Sequence, residues 1–310
     1  MRIKVLGSAA GGGFPQWNCN GSNSRDVRRG LPGLQLRTQS SLAVSANGRD
    51  WLLLNASPDI RQQIANTPQL HPRIDGPARN SPIKAVVLTN GDIDHIAGLL
   101  SLRESEQFSL YAAQRVLSAL EGNSVFNVLN PQFVTRHQFQ LGAPFEPHCN
   151  GSALGLSIEA FAVPGKVALY LEDDSAGDNF GTEEGDTVGL KVIDSDSGRH
   201  FFYIPGCAGL DETLAGRLRG AGLLFFDGTL FTDDEMVVQG LSAKTGQRMG
   251  HMSMSGPDGT LAAFDELNIA RKIFIHINNS NPVLRENSAA RAEVTAAGWE
   301  VAFDGMEVTL

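Results

Sequence analysis

Three apolar segments of the sequence each end abruptly in polar residues that can bind a metal ion. One is "VVLTNGDIDH", which places Asp92, Asp94 and His95 directly after an apolar run, and the others are "LLFFDGT", with Asp227, and "KIFIHINN", with His276. Runs of Val, Ile, Leu and Phe that stop at Gly or Asn are typical of buried strands followed by sharp turns. The chain is therefore expected to contain strands whose ends carry carboxylate and imidazole groups.

The crowding of Asp92 and Asp94 in one turn requires compensation, because two close carboxylates repel each other unless a cation or protons neutralise them. A shared metal ion is the interpretation that also accounts for Asp227 and His276. Local alternatives remain open. Asp94 can cap the following helix, and a His or Asp at a strand end can be an ordinary hydrogen-bonded polar group.

Hairpins and strand–turn–helix units alternate along the chain. The segment 41–57 predicts a hairpin that turns at Asn47-Gly48, and the next helix is expected to have Ser57 as its N-cap and Pro58 as its first residue. Strand–turn–helix units are expected at 83–104 and at 222–235. The closing stretch "WEVAFDGMEVTL" is expected to form a second hairpin.

This mixture predicts the α/β fold class, with sheets packed on each other and covered by helices rather than an all-parallel doubly wound sheet. With 310 residues, 42% of them hydrophobic, the chain can bury one large core, and a single domain over 1–310 is expected. The segment 172–186 carries seven acidic side chains and no basic ones. It is expected to be a solvated loop, or a lid over a site.

Composition narrows the classes of function. The formal charge of -9 offers no clustered basic surface for nucleic acid, so a small molecule or peptide is the expected partner. No apolar run approaches the roughly 18 residues of a membrane span, and the N-terminus lacks the pattern of a signal peptide. Three cysteines, an odd number, argue against a disulfide framework. A cytoplasmic protein without membrane or nucleic-acid partners is expected.

The motif Asn90-x-Asp92-x-Asp94-His95 resembles the HxHxDH motif of the metallo-β-lactamase superfamily, with the first two histidines replaced. Asp227 then resembles the metal-bridging Asp of that superfamily, and His276 its last His ligand. The stretches "LGSAAGGGFPQWNCN", "NASPDIRQQI", "RMGH", "HINNSNP" and "FDGM" resemble a family of pyrroloquinoline quinone (PQQ) biosynthesis proteins within it, over essentially the whole chain. This resemblance implies a four-layer αββα sandwich.

The chain departs from these patterns at two places. Because Asn90 and Asp92 replace histidines and 163–166 contains none, the first metal site of the superfamily is expected to be lost. The resemblance then leaves one site of Asp94, His95, Asp227 and His276, with Asp92 as an extra oxygen ligand. Two imidazoles with carboxylate favour Fe(II), and Zn at the same site is the alternative metal.

The second departure lies in "WNCNGSNS", where the PQQ family usually has the pattern CxCxxC for a structural zinc. This chain keeps Cys19 and has Gly21 and Ser24 at the other two positions. No structural zinc is expected at Cys19.

The resemblance implies an iron-dependent hydroxylase that acts on the tyrosine of a Glu-Tyr precursor during PQQ biosynthesis. His251 is the candidate catalytic residue for proton transfer, and Arg61, Lys166 and Arg248 are candidates for binding the substrate's carboxylates. Association into a homodimer is an alternative to a monomer that the sequence leaves open. Two other functions remain open: a metallo-hydrolase, and a non-catalytic carrier that transports PQQ or its precursor.

Overall fold

Two seven-stranded sheets form the centre of the structure, a computed structural model that describes residues 1–310. The strands, in chain order, are β1 (Arg2–Gly7), β2 (Ser41–Ser45), β3 (Trp51–Leu54), β4 (Ile83–Val87), β5 (Phe108–Ala112), β6 (Val134–Gln138), β7 (Pro144–Phe145), β8 (His148–Cys149), β9 (Ser152–Ala153), β10 (Leu156–Ala162), β11 (Val188–Asp194), β12 (His200–Ile204), β13 (Leu224–Asp227), β14 (Lys272–Ile275), β15 (Trp299–Val301) and β16 (Glu307–Thr309).

The first sheet has the strand order β16-β1-β2-β3-β4-β5-β6, and the second has β15-β14-β13-β12-β11-β10-β7. Strands β8 and β9 form a separate small ribbon. Both large sheets are mixed: β3 to β6 run parallel in the first sheet, and β12 to β15 run parallel in the second. The carboxyl ends of β4, β13 and β14 can therefore meet at one edge of the sandwich.

Nine short α-helices cover the sheets: α1 (Ser22–Arg28), α2 (Ile60–Ala65), α3 (Ile93–Ile96), α4 (Gln114–Gly122), α5 (Glu212–Leu218), α6 (Glu235–Val238), α7 (Gly246–Met249), α8 (Thr260–Ala263) and α9 (Ala289–Ala296). Short 3₁₀ turns lie at Pro68–Leu70, Ala97–Leu102, Ser124–Val128, Leu169–Leu171, Asp174–Ala176, Asp265–Leu267 and Pro282–Leu284. No helix combines the length and the apolar character that crossing a membrane requires.

Alternation along the strands produces three apolar layers. In β13, Phe225 packs between the two sheets, whereas Leu224 and Phe226 face the opposite side, toward α5, α8 and α9. A third cluster lies between the first sheet and α2 and α4. Since successive side chains of a strand point to opposite faces, each sheet contributes to two of these clusters. The layer order is helix, sheet, sheet, helix, and the predicted αββα sandwich is confirmed.

Local predictions were right in most places and wrong in two. The hairpin of β2 and β3 is confirmed. The helix predicted to begin at Pro58 instead begins at Ile60, with Asp59 as N-cap. Ser57 Oγ donates to the side chain of Gln63, and the Ile60 amide closes a turn onto the Ser57 carbonyl, so residues 57–59 form that turn.

The predicted C-terminal hairpin is wrong. Strand β15 pairs with β14 in the second sheet, whereas β16 pairs with β1 in the first. The connecting turn contains Gly305 at φ 88°, and the Gly305 amide donates to the carbonyl of Val5. This contact directs the chain across to the first sheet, so the last two strands join the sheets rather than each other.

Candidate metal centre

The predicted ligand residues follow the carboxyl ends of three strands, β4 in the first sheet and β13 and β14 in the second. Asp94 and His95 lie on α3, which a short loop connects to β4, Asp227 is the last residue of β13, and His276 follows β14. Asp227 and Ile275 are partners in the register of the second sheet. The two sheets are joined beside the site, where Asn90 pairs with Thr187.

Asp94, His95 and His276 form a first group of potential ligands. Oδ2 of Asp94 lies 2.9 Å from Nε2 of His276 and 3.9 Å from Nε2 of His95. One ligand atom from each residue lies within 4.8 Å of the other two, which allows a single ion to contact all three. Two imidazoles and one carboxylate leave the remaining coordination positions open.

His95 is oriented as a metal-binding histidine would be. Its Nδ1 lies 2.6 Å from Oδ1 of Asn90, and its Nε2 is buried without a hydrogen-bond partner. Because an amide oxygen only accepts, the Nδ1–H donates to Asn90 and Nε2 carries a lone pair. A buried polar atom without a partner is unfavourable unless something else binds it. The residues present therefore fit a metal ion at this position.

Asp227, His251 and His276 form a second group, which shares His276 with the first. Oδ2 of Asp227 lies 2.6 Å from Nδ1 of His251 and also accepts from the amide of Cys207 at 2.9 Å. Asp227 does not join Asp94 and His95 in one set of close ligand atoms. The four residues predicted to share one ion are thus arranged as two adjoining groups.

Thr229 links the two groups. Its Oγ1 lies 2.6 Å from Oδ1 of Asp227 and 2.8 Å from Nδ1 of His276. A hydroxyl has one proton, and the charged carboxylate is the stronger acceptor, so Thr229 donates to Asp227 and accepts from Nδ1 of His276. This arrangement directs Nε2 of His276 toward Asp94.

The backbone of His276 is held in an unusual conformation, with φ of 60°. A left-handed backbone costs a non-glycine residue about 1 kcal/mol or more and persists only where the surroundings enforce it. Here Thr229 contacts both the ring and the carbonyl oxygen of His276. The strain is thus located at the residue shared by both groups.

Asp92 lines the same cavity but belongs to neither group. Its Oδ2 accepts from the side-chain amide of Asn90 at 2.9 Å. Burial and the nearby charge of Asp94 raise the pKa of Asp92 to about 6. The structure thus places Asp92 beside the ligand groups rather than within them.

Burial disfavours every charge in the site, and neighbouring groups determine which charges persist. It lowers the pKa of His95 to about 4, so this ring is neutral near pH 7. Burial alone would raise the pKa of Asp94, but the neighbouring side chains of His95 and His276 hold it below its usual range. Likewise, Asp227 outweighs burial and raises the pKa of His251. Asp94 is therefore ionised and His251 tends to retain a proton.

A cavity of about 360 Å³ opens onto these groups. Asp92, Asp94 and all three histidines of the two groups line it, and so do Lys166 and Lys244. Its apolar lining consists of Ala10, Leu169, Met236 and Met249. Polar groups converging in a cleft are typical of a site for a small ligand.

The three cations predicted to bind substrate lie in different places. Lys166 lines the cavity and forms an ion pair with Glu172. Arg248 holds the same carboxylate through two nitrogens, at 3.1 and 3.0 Å, and does not line the cavity. Arg61 is exposed on α2 and does not line the cavity either. Of the three, the structure brings only Lys166 to the cavity.

The acidic segment 172–186 is fastened near both ends. Glu172 holds Lys166 and Arg248, whose hydrogen bonds lower its pKa to about 2, and Asp186 accepts from Arg115 at 2.7 Å. The carboxylates between these ends are exposed, as a solvated loop requires. Just before the segment, the Tyr170 hydroxyl donates to the carbonyl of Gly91 at 2.9 Å. Gly91 belongs to the ligand turn, the turn that carries Asp92, Asp94 and His95.

Cys19 lies in the loop before α1 and is buried. Its Sγ accepts from the amide of Gly21 at 3.3 Å. Ser24 is buried in α1, and its hydroxyl has no hydrogen-bond partner. These three positions supply a single thiol, and the absence of a structural zinc there stays a prediction.

Sequence reasoning missed the positioning roles of Asn90 and Thr229 and the place of Lys244. Thr229 had a local signal, since a hydroxyl residue two positions after an Asp often bonds back to that carboxylate. Asn90 was interpreted only as a lost ligand. No pattern in the sequence distinguishes Lys244 from a surface lysine.

Comparisons with known proteins agree with this architecture. A family model described as "Beta-lactamase superfamily domain" matches residues 50–277. "Coenzyme PQQ synthesis protein B" of Xanthomonas oryzae pv. oryzae (strain MAFF 311018) is 56% identical over 310 residues and covers 100% of both chains. A crystal structure of Zn(2+)-bound PqqB from Methylobacterium extorquens has 50% identity and a TM-score of 0.94, with 100% of both chains covered.

A more distant likeness concerns the fold alone. A diphosphatase from the PhnP family has 18% identity and a TM-score of 0.65, covering 100% of this chain and 97% of that one. The predicted metallo-β-lactamase fold is confirmed by the family model and by the PqqB crystal structure.

Proposed function

The chain belongs to the PqqB family of the β-lactamase superfamily, and from that membership we propose that it acts in PQQ biosynthesis as a metal-dependent enzyme. We further propose that the metal is Fe(II) and that the reaction hydroxylates the tyrosine ring of a Glu-Tyr precursor. The substrate would be a peptide or amino-acid precursor small enough for the cavity beside the ligands.

The observation that carries the proposal is the first ligand group. The unpartnered Nε2 of His95 lies beside Asp94 and His276, and these three residues would hold the ion. Two histidines and one carboxylate with open positions are the ligand set of non-haem Fe(II) oxygenases. Fe(II) bound there would supply the activation of dioxygen.

The residues of the chain orient these ligands and manage protons. Asn90 accepts a hydrogen bond from Nδ1 of His95, and Thr229 accepts one from Nδ1 of His276. Both rings therefore leave Nε2 free to bind the metal. His251 lines the cavity and is held by Asp227 at 2.6 Å, a contact that favours its protonated form. His251 is therefore placed to give a proton to an oxygen atom in the cavity.

The reaction balances with an external reductant. One oxygen atom of dioxygen enters a ring C–H bond as a hydroxyl group, and the other leaves as water. This conversion takes two electrons and two protons from a reductant such as ascorbate or a reduced nicotinamide.

The test is anaerobic reconstitution with Fe(II), followed by isotopically labelled dioxygen, ascorbate and Glu-Tyr. We expect labelled oxygen in the product by mass spectrometry, and its loss in His95→Ala. The matched control is His71→Ala, because His71 is exposed and far from the ligand turn in sequence. Equal labelling in both variants would refute the assignment, and binding of unaltered Glu-Tyr would favour a carrier.

A zinc hydrolase is the second candidate. The Methylobacterium extorquens PqqB was crystallised with Zn(2+), and the group Asp227, His251 and His276 adjoins the first group through a shared ligand. A metal-bound water could then attack a peptide or ester bond. Turnover by the zinc-loaded protein under strict anaerobiosis would favour this function over oxygenation.

A further inference from the structure

Lys244 is a cation of the cavity wall that has no protein partner. It lies in the loop between α6 and α7, is half-buried, and lines the cavity. Its backbone amide donates to Ser242, but its ammonium group makes no hydrogen bond and has no carboxylate within 4.0 Å. A partly desolvated ammonium without a partner is favourable only when water or an anion contacts it.

The polar side chains that could compete with Lys244 for an anion are already engaged. Glu172 pairs with Lys166, so the ammonium group of Lys166 already has a carboxylate partner. The side chain of Gln16 donates to Asn18 and accepts from Asn279, and the amide of Asn278 donates to Ser280. Lys244 is thus the cavity cation that remains free to bind an anionic group of a ligand.

An apolar surface accompanies this charge. Met236 and Met249 line the cavity from α6 and α7, the two helices that flank the loop of Lys244, and Leu169 adds further apolar surface. Methionine side chains adapt to flat rings and make favourable sulfur–aromatic contacts. The wall therefore combines one free positive charge with an adaptable apolar surface.

From this combination we infer that Lys244 binds a carboxylate of the substrate while the aromatic part lies against Met236 and Met249. The inference deepens the proposed function, on which it rests, by assigning the recognition of the substrate's acid group to one residue. Lys166 would contribute less, because its ammonium group is held by Glu172, the carboxylate that also binds Arg248.

The test compares the affinities of three peptides for the zinc-loaded protein by calorimetry: Glu-Tyr, Glu-Tyr with a C-terminal carboxamide, and Gln-Tyr. Each altered peptide lacks one carboxylate. A charge-assisted hydrogen bond predicts that the wild type loses about tenfold in affinity for at least one of them. Lys244→Met should abolish that difference, and Lys244→Arg should retain most of it.

Lys84→Met is the matched control, since Lys84 lies on β4, outside the cavity, and forms no ion pair. An unchanged preference for the acid in Lys244→Met would overturn the inference, and so would a wild type without any preference. If the preference for the acid peptide does not depend on Lys244 but the protein still forms oxygen-labelled product, the inference fails and the proposed function is supported. If the preference for the acid peptide depends on Lys244 but no labelled oxygen enters the product, the inference is supported and the proposed oxygenase function is refuted.

Discussion

Oγ1 of Thr229 lies 2.8 Å from Nδ1 of His276 and fixes which nitrogen of that ring faces the cavity. The same oxygen donates to Asp227 at 2.6 Å, so one hydroxyl connects the only histidine shared by both ligand groups to the carboxylate of the second. Partners of this kind hold a ligand ring in the tautomer and orientation that a metal needs.

Thr229→Val is therefore expected to weaken metal binding by about 10- to 100-fold, because the ring of His276 loses its acceptor while the side chain keeps its shape. Thr229→Ser retains the hydroxyl and should stay within a few-fold of the wild type. Competition with a chelator measures both affinities. Affinity close to the wild type in Thr229→Val, or a loss as large in Thr229→Ser as in Thr229→Val, would contradict this role of the hydroxyl.

His276→Ala is expected to remove most of the bound metal and to leave the fold intact. His276 follows the end of β14 and belongs to none of the hydrophobic core clusters, so its removal leaves the core intact. Metal content by elemental analysis and circular dichroism are the two measurements. Full metal occupancy in His276→Ala would refute the assignment of His276 as a ligand. His71→Ala serves as the control.

Cys19→Ser is expected to leave the metal content of the purified protein unchanged. Cys19 is the one thiol in its loop, and the partner positions are Gly21 and Ser24. A structural zinc needs four protein ligands, usually several thiolates. Loss of one equivalent of zinc on this substitution would contradict the prediction.

Glu235 is expected to make stability depend on pH. It is buried on α6 and accepts from Ser280 Oγ at 2.5 Å and the Phe231 amide at 2.6 Å, yet burial raises its pKa from 4.5 to about 7. Between these values the native state binds a proton that the unfolded chain lacks. The contribution of Glu235 to the free energy of unfolding is therefore full below 4.5 and is lost as pH rises toward 7.

The size of this effect is at most about 3 kcal/mol. Urea unfolding at about pH 5 and about pH 8 should show a decrease in the wild type that is reduced in Glu235→Gln, which keeps the neutral form at both pH values. The same decrease in both proteins would mean that Glu235 is not the group that titrates.

The architecture could be predicted because the patterns are local. Apolar runs that stop at Asp or His mark the ends of buried strands, and their parallel arrangement brings those ends together. The closing hairpin failed for the opposite reason. Strands β15 and β16 each look like half of a hairpin, but their partners, β14 and β1, are set by the packing of distant segments.

The candidate ligand residues could also be predicted from the sequence, whereas their arrangement in two groups could not. Whether Asp227 faces Asp94 or His251 depends on a few ångströms between separate strand ends and loops. Thr229 contributes to this arrangement by bonding Asp227 and His276 at once, which connects the ends of β13 and β14. The position of Lys244 could not be predicted either, because its loop reaches the cavity only through the packing of α6 and α7.

The most direct measurement is anomalous diffraction at the iron edge from crystals loaded with Fe(II) under anaerobic conditions. One strong peak is expected within bonding distance of Asp94 and of Nε2 of both His95 and His276. A peak bound by Asp227 and His251 with His95 left unligated, or no ordered iron at full loading, would contradict it.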